Sequence, residues 1–215
     1  MPYDPARGQG IMNATLDANT DFTRSTDPVA LFGEWMRAAE ASEPNDPNAM
    51  CLATVGADGR PAARIVLLKS VDGEGFMFHS HYTGRKGREL EANPYAALCF
   101  HWKSLHRQVR VEGRVEQATP AESDAYYASR ARISRLGAWA SRQSEPLSDR
   151  AELEARLREA ERRFPGEEVP RPEHWGGFRL VPDSIEFWQD APYRLHDRVV
   201  FTRDGEGWGR QRLYP

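Results

Sequence analysis

Between Met50 and Gln117 the chain breaks into short apolar runs separated by hairpin signals, and that rhythm narrows the possible folds most. Met50–Val55 is followed by Ala57-Asp58-Gly59, Ala63–Leu68 by the turn Asp72–Gly75, and Phe76–His79, Tyr95–Trp102 and Gln108–Gln117 continue the series. Runs of this length, punctuated by Asp-Gly turns, read as antiparallel strands joined by hairpins. In the last run Val109, Val111 and Val115 alternate with Gln108, Arg110 and Glu112, so one face meets a core. Gly177–Leu180 and Ser184–Trp188 add two closing strands before a hairpin at Asp204–Gly207. Six or more short strands with few helices predict a mainly β (α+β) domain, a closed or nearly closed antiparallel barrel with peripheral helices. No Gly-x-Gly-x-x-Gly follows a strand and no phosphate-loop motif occurs, which argues against dinucleotide-fold and P-loop readings.

Residues 1–26 are polar and read as an N-terminal arm; residues 27–215 read as one domain. Asp27-Pro28 supplies a helix N-cap and first position, and Leu31, Phe32, Trp35, Met36 and Ala39 follow at helical spacing, with a stop before Pro44. Thr83–Ala92, Pro120–Ser129 and Ser148–Phe164 are the other predicted helices, the last laced with Glu/Arg pairs three or four apart. A net charge of −3 over 215 residues argues against a general nucleic-acid binder. The cations are clustered instead, at Arg85, Lys86 and Arg88, at Arg107 and Arg110, and at Arg130, Arg132 and Arg135, which suits small anions. Cys51 and Cys99 lie in strand-like runs and read as buried free thiols, with no Cys/His spacing for a metal. The absence of a signal pattern and of an 18-residue apolar run leads to the expectation of a cytoplasmic protein away from membranes.

The run Ile185–Arg198 places Trp188 ahead of Arg194, His196 and Arg198. Strand periodicity would set the last three on one face, a ladder able to clamp a flat anionic ring; the plainer alternative is a solvent-facing strand with scattered basic residues. Arg64 and Lys69 bracket an apolar strand and, five apart, should face opposite sides of the sheet. Thr83–Arg88 opens a helix with two adjacent cations, a seat for an anion. Tyr126, Arg130 and Ser134 recur four apart; they share a face if one helix runs through them, although Ala131–Arg135 also reads as loop. Phenol, guanidinium and hydroxyl together match a phosphate, while Gln108 and Gln143-Ser144 offer groups that read a ring edge. With no nucleophile elbow and no paired carboxylates, the chemistry should be borrowed from a cofactor.

RIVLLK (64–69), RKGREL (85–90), HRQVRVEG (106–113), GAWASRQS (137–144), VPRPEHWGGFRL (169–180), IEFWQ (185–189), RLHDR (194–198) and RLYP (212–215) together resemble the pyridoxamine 5′-phosphate oxidase family, in its order and spacing from about Asp27 onward. The resemblance implies an FMN-binding split β-barrel that works as a homodimer, with flavin where two subunits meet. It implies oxidation of pyridoxamine 5′-phosphate or pyridoxine 5′-phosphate to pyridoxal 5′-phosphate, with O₂ as acceptor and H₂O₂ as product. It assigns FMN contacts to Arg64, Ile65, Val66, Leu67, Leu68 and Lys69, to His79 and Ser80, to Arg85 and Lys86, and to Gln108, Gln143, Ser144, Trp188 and Arg198. Lys69, Tyr126, Arg130 and Ser134 would hold the substrate phosphate, and Arg194, Leu195 and His196 would lie at the pyridine ring, with Arg194 and His196 catalytic. Two departures stand out: Ile11–Asn19 lacks the Arg and Tyr of the family's N-terminal lid, and Ala131 and Ile133 replace its usual Pro and polar residue. The alternatives are a related flavin oxidase of another planar ring, as in phenazine synthesis, and a non-catalytic flavin- or pyridoxal-phosphate-binding split barrel.

Overall fold

In a computed structural model that describes residues 21–215, Asp27 accepts the backbone N–H groups of Val29 and Ala30 and starts α1 (Pro28–Ser42). A side-chain N-cap of this kind contributes about 1 kcal/mol. Leu31, Phe32, Trp35 and Ala39 form the buried stripe of α1. Phe32 packs edge-on against Phe76 and Phe100 at 5.0 Å, and Trp35 meets Phe187 at 5.1 Å, so the helix plugs one end of the sheet's concave face. Burying an aromatic side chain of this size is worth roughly 1.5–3 kcal/mol. The arm expected over residues 1–26, with the Ile11–Asn19 segment, falls mostly outside the described residues. Its last part, Phe22–Arg24, is a 3₁₀ turn with Phe22 against Trp35 at 5.1 Å.

The strands are β1 (Ala49–Val55), β2 (Pro61–Leu67), β3 (Ser70–Val71), β4 (Phe76–His81), β5 (Tyr95–Trp102), β6 (Arg107–Gln117), β7 (Trp175–Gln189), β8 (Asp197–Asp204) and β9 (Gly207–Arg212). All pair antiparallel in the order β2-β1-β5-β6-β7-β4-β3, with β8 and β9 branching from β7. The sheet is antiparallel as the hairpin rhythm predicts but curls into a half-barrel rather than closing, and Gly59 and Gly205 turn two of its hairpins with φ of 75° and 58°. One strand pair is corrected: Gly177–Leu180 and Ser184–Trp188 belong to a single strand, β7. A register shift opposite Glu112/Gly113 bends β7, so its first half pairs with β4 and its second half with β8.

The other helices are α2 (Arg85–Ala92), α3 (Pro120–Ser129), α4 (Arg132–Ala140) and α5 (Arg150–Arg163). α2 begins two residues later than predicted; a Cβ on its Gly87 would stand 1.9 Å from the Tyr82 carbonyl, so only glycine lets the helix sit against the end of β4. Thr119 and Glu122 form a capping box on α3. α4 replaces the loop read at Ala131–Arg135, because Leu136, Ala160 and Val169 make a small core between α4 and α5. No helix among the described residues is long and apolar enough to cross a membrane.

Candidate active site

β2 ends at Leu67, and this early stop builds the site. Leu68 turns inward, 6% exposed, and its N–H donates to the Asn48 carbonyl at 2.9 Å. The next N–H, of Lys69, bonds the Met77 carbonyl at 2.8 Å, which brings Lys69 round to the side of Arg64. One reading is thereby corrected: Lys69 and Arg64 line one cleft rather than opposite faces, while the Leu68 side chain packs into the core. The cleft is about 620 Å³ and takes Arg64, Ile65, Val66 and Leu67 from β2, His79 and Ser80 from β4, Lys86 from α2, and Tyr126, Arg130, Ser134 and Gln143 from beyond. That volume lies within the usual range for a small-molecule site.

At one end Lys86 Nζ donates to Gln143 Oε1 at 2.7 Å and to Ser80 Oγ at 3.0 Å, and Ser80 Oγ donates to the same Gln143 oxygen at 3.0 Å. Burial lowers the Lys86 pKa, and Arg64 adds to the effect. An adjoining cavity of about 420 Å³ is lined by Arg64, Arg85, Lys86 and Ser144, three cations and a hydroxyl around one space.

At the other end three rings lie nearly parallel. His79 stacks on Tyr126 at 3.9 Å and on Trp175 at 5.4 Å. Lys69 lies 5.9 Å from the Tyr126 ring and Arg130 4.7 Å from Trp175, so cations flank the stack. Burial, then Lys69 and Arg130, push His79 down to about 4; burial, then His174 and Lys86, do the same to His81. Both imidazoles are therefore neutral near pH 7 and add no charge to a cleft already rich in cations. Tyr126, Arg130 and Ser134 do converge on the cleft, though not along one helix. α3 ends at Ser129 and Arg130 is extended (ψ 148°) before α4 begins. Arg130 Nη1 is buried with no hydrogen-bond partner among the described residues, an orphan donor at the cleft.

Gln108, Trp188, Arg194, Leu195, His196 and Arg198 do not line this cleft. The strand face proposed for Arg194, His196 and Arg198 is also corrected. β7 stops at Gln189, Pro192–Arg194 forms a 3₁₀ turn, and Tyr193 and Arg194 adopt left-handed φ of 59° and 63°. Arg194 and Leu195 are exposed, whereas His196 is partly buried, with Nδ1 2.9 Å from Asp190 Oδ1 and its ring 4.7 Å from Trp188. Trp188 pairs with Gln108 on one side and Arg198 on the other; Arg198 is held by Glu186 at 2.7 Å and the Tyr214 carbonyl at 2.9 Å. Of these residues, His196 and Arg198 line a cavity of about 420 Å³ with Tyr214 at the C-terminal end.

Sequence reasoning missed six contributors: His81, Gly137, Ala138, Ser141 and Trp175, which line the cleft, and Glu89, beneath its cationic end. Trp175 lies in VPRPEHWGGFRL, and Gly176 beside it marks a close approach, since a Cβ there would stand 2.0 Å from the Tyr82 hydroxyl. Glu89 lies in RKGREL, and Gly137, Ala138 and Ser141 lie in GAWASRQS, whereas His81 falls in none of the quoted motifs.

A bent antiparallel half-barrel with a cation-lined cleft at its edge defines a split-barrel protein. The family profile described as pyridoxamine 5′-phosphate oxidase matches residues 36–164, and the pyridoxine 5′-phosphate oxidase C-terminal dimerisation region matches 175–215. Curated pyridoxine/pyridoxamine 5′-phosphate oxidases are similar throughout. That of Gluconobacter oxydans is 60% identical over 88% of this chain and 94% of its own length. That of Caulobacter vibrioides is 57% identical over 100% and 97%. Among solved structures, PhzG from Burkholderia lata 383, in complex with tetrahydrophenazine-1-carboxylic acid, superposes with a TM-score of 0.84 at 33% identity, covering 89% of this chain and 94% of that one. A pyridoxamine 5′-phosphate oxidase-related, FMN-binding protein from Nostoc punctiforme shares the fold, with a TM-score of 0.71 at 16% identity, covering 89% of this chain and all of that one. The chain belongs to the pyridoxamine 5′-phosphate oxidase family and is an oxidase of that enzyme family.

Proposed function

We propose that residues 27–215 act as one FMN-binding domain that oxidises pyridoxamine 5′-phosphate and pyridoxine 5′-phosphate to pyridoxal 5′-phosphate. O₂ is the final acceptor, H₂O₂ the product, and ammonia leaves from the amine substrate. One observation carries the reading: cations and hydroxyls gather in two separate places, one in the adjoining cavity and one at the far end of the cleft. Arg64, Arg85, Lys86 and Ser144 form the first; Lys69, Tyr126, Arg130 and Ser134 form the second. Two phosphorylated planar molecules laid face to face would need such a pair of anchors. The donor set fits FMN: cations and a hydroxyl suit its phosphate, and Gln143, whose carbonyl oxygen is taken by Lys86 and Ser80, would keep its amide NH₂ for a ring edge.

When bound, FMN supplies the hydride acceptor that the chain's own side chains lack. The residues bind and orient. Arg130 has a buried donor free for the substrate phosphate, and Tyr126 is held rigid on His79. Such remote binding energy fixes the reacting ring in place. Neutral His79 and His81 leave the positive charge to Lys69 and Arg130. Arg194 and His196 would orient the reacting substituent, and they reach the cleft from a second copy of the chain. Support for this homodimer comes from the match of residues 175–215 to a dimerisation region and from Ile65, 67% exposed, and Tyr95, 55% exposed, on the outer sheet face. The reading as an oxidase of a phenazine-type ring has less behind it, because that relative is 33% identical against 60% for a curated phosphate-substrate oxidase.

Purified protein should be yellow, and anaerobic pyridoxamine 5′-phosphate should bleach the flavin absorbance. Flavin that stays oxidised in the presence of that substrate would overturn the assignment.

A further inference from the structure

We propose that Glu89 is a positioning residue for the first phosphate seat: it aims the Arg85 guanidinium and anchors Arg64, and so sets how strongly the protein prefers FMN to unphosphorylated riboflavin. The proposal rests on the flavin reading above and deepens it.

Glu89 lies on the inner side of α2, 7% exposed, next to the buried Leu90. A carboxylate is not taken out of water without compensating partners. Its Oε2 accepts from the Thr54 hydroxyl at 2.6 Å and from Arg64 Nη2 at 2.7 Å, and its Oε1 accepts from Arg85 Nε at 2.7 Å. One carboxylate thus ties together β1, β2 and α2. Burial disfavours its charge, but these hydrogen bonds outweigh that and hold its pKa below the ordinary range.

The geometry differs at the two arginines. Arg64 is spent largely on the protein: its Nη1 donates to Thr54 Oγ1 and to the Leu52 carbonyl. Arg85 is held by Nε alone, and both its Nη groups are without a partner among the described residues. Gripping a guanidinium by its back edge turns the two-nitrogen fork outward, the arrangement that meets a phosphate bidentately. Arg85 has 63% of its side chain exposed, and Glu89 is its one anchor among the described residues. The carboxylate also offsets repulsion among the cations: three positive charges less one negative leaves two, matching a phosphate monoester that carries roughly −1.5 to −2 near pH 7. A residue that acts only by filling space under α2 would affect both flavins alike; one that aims Arg85 affects only the phosphorylated one.

The test is fluorescence titration of the full-length apoprotein with FMN and with riboflavin, in the parent and in Glu89→Gln. FMN affinity should fall about tenfold, the scale of a lost charge-assisted hydrogen bond, with riboflavin affinity within twofold of the parent. An unchanged FMN affinity, or an equal loss for both flavins, overturns the proposal. Where riboflavin binds both proteins too weakly to titrate, a tenfold loss for FMN at unchanged apoprotein Tm supports it and a loss accompanied by a fallen Tm overturns it. If Glu89→Gln does not fold, Glu89→Asp keeps the charge but withdraws it by one methylene. The FMN-to-riboflavin preference should then fall at least threefold, and a preserved preference overturns the proposal. A parent that binds no FMN at all sinks the flavin reading instead.

Discussion

In the cleft, Arg130 stacks over Trp175 at 4.7 Å and Lys86 is tied to Ser80 and Gln143, whereas the basic ladder beyond Trp188 puts Arg194 on an exposed left-handed turn. Both regions carry guanidiniums, an imidazole and an indole. In the first, neighbouring elements of the same chain lock the side chains and hold water back, so His79 and His81 are driven neutral. In the second, Leu195 is 68% exposed and the chain alone gives Arg194 no partner among the described residues. Non-glycine residues at positive φ cost on the order of 1 kcal/mol or more, and they persist where a function exploits them. The lesson is one of division: the cationic cleft is prebuilt within the chain, while the group proposed to meet the reacting ring is left exposed.

Arg130→Ala should give the largest effect, raising KM for pyridoxamine 5′-phosphate by about 10- to 100-fold, the loss of a charge-assisted hydrogen bond, with FMN retained. Steady-state kinetics showing an unchanged KM would remove Arg130 from the substrate seat. Arg194→Ala should lower kcat/KM about tenfold with Tm unchanged, since exposed substitutions usually alter stability by less than about 0.5 kcal/mol. Activity within twofold of the parent would make the ladder a bystander.

Mixing those two variants after mild dissociation sharpens the comparison further. If the two regions meet only across subunits, half the dimers are mixed and each holds one intact site, so activity should recover to about a quarter of the parent. Recovery no better than the mean of the two variants would place both regions in one chain's site.

The smallest expected effect concerns pH. His81 has its folded pKa depressed to about 4 from 6.5, so the unfolded chain binds its proton first as pH falls. Stability associated with the neutral ring is therefore fully present above about 6.5 and is lost towards about 4. His81→Gln should flatten the fall in Tm across that window by a few °C, on the order of 2–4 °C per kcal/mol for a chain this size. Parallel Tm profiles for the two proteins would mean that His81 titrates normally.

Much of the frame was legible because its causes are local. The Asp27 cap, the apolar stripe of α1, the β1–β2 and β8–β9 turns and the bounds of α3 all follow from neighbours a few residues apart. Tyr126, Arg130 and Ser134 do line one cleft, but spacing left open whether one helix joins them, and Arg130 is extended between α3 and α4. Lys69 was placed on the wrong side, since periodicity assumes a strand that continues and β2 stops at Leu67. Spacing alone pairs Glu89 with Arg85, four residues back on α2, but could not reveal its other partners, Thr54 and Arg64, which are 35 and 25 residues away.

By itself, then, the sequence determined the strand rhythm, the capped helices and the kinds of side chain available for phosphate, all set by short-range hydrogen bonding and hydrophobic period. Only the tertiary structure decided which of those side chains share a cleft. That choice depends on where β2 ends, how β7 bends between β4 and β8, and which buried groups find partners, and each is settled by contacts between distant segments as water is excluded.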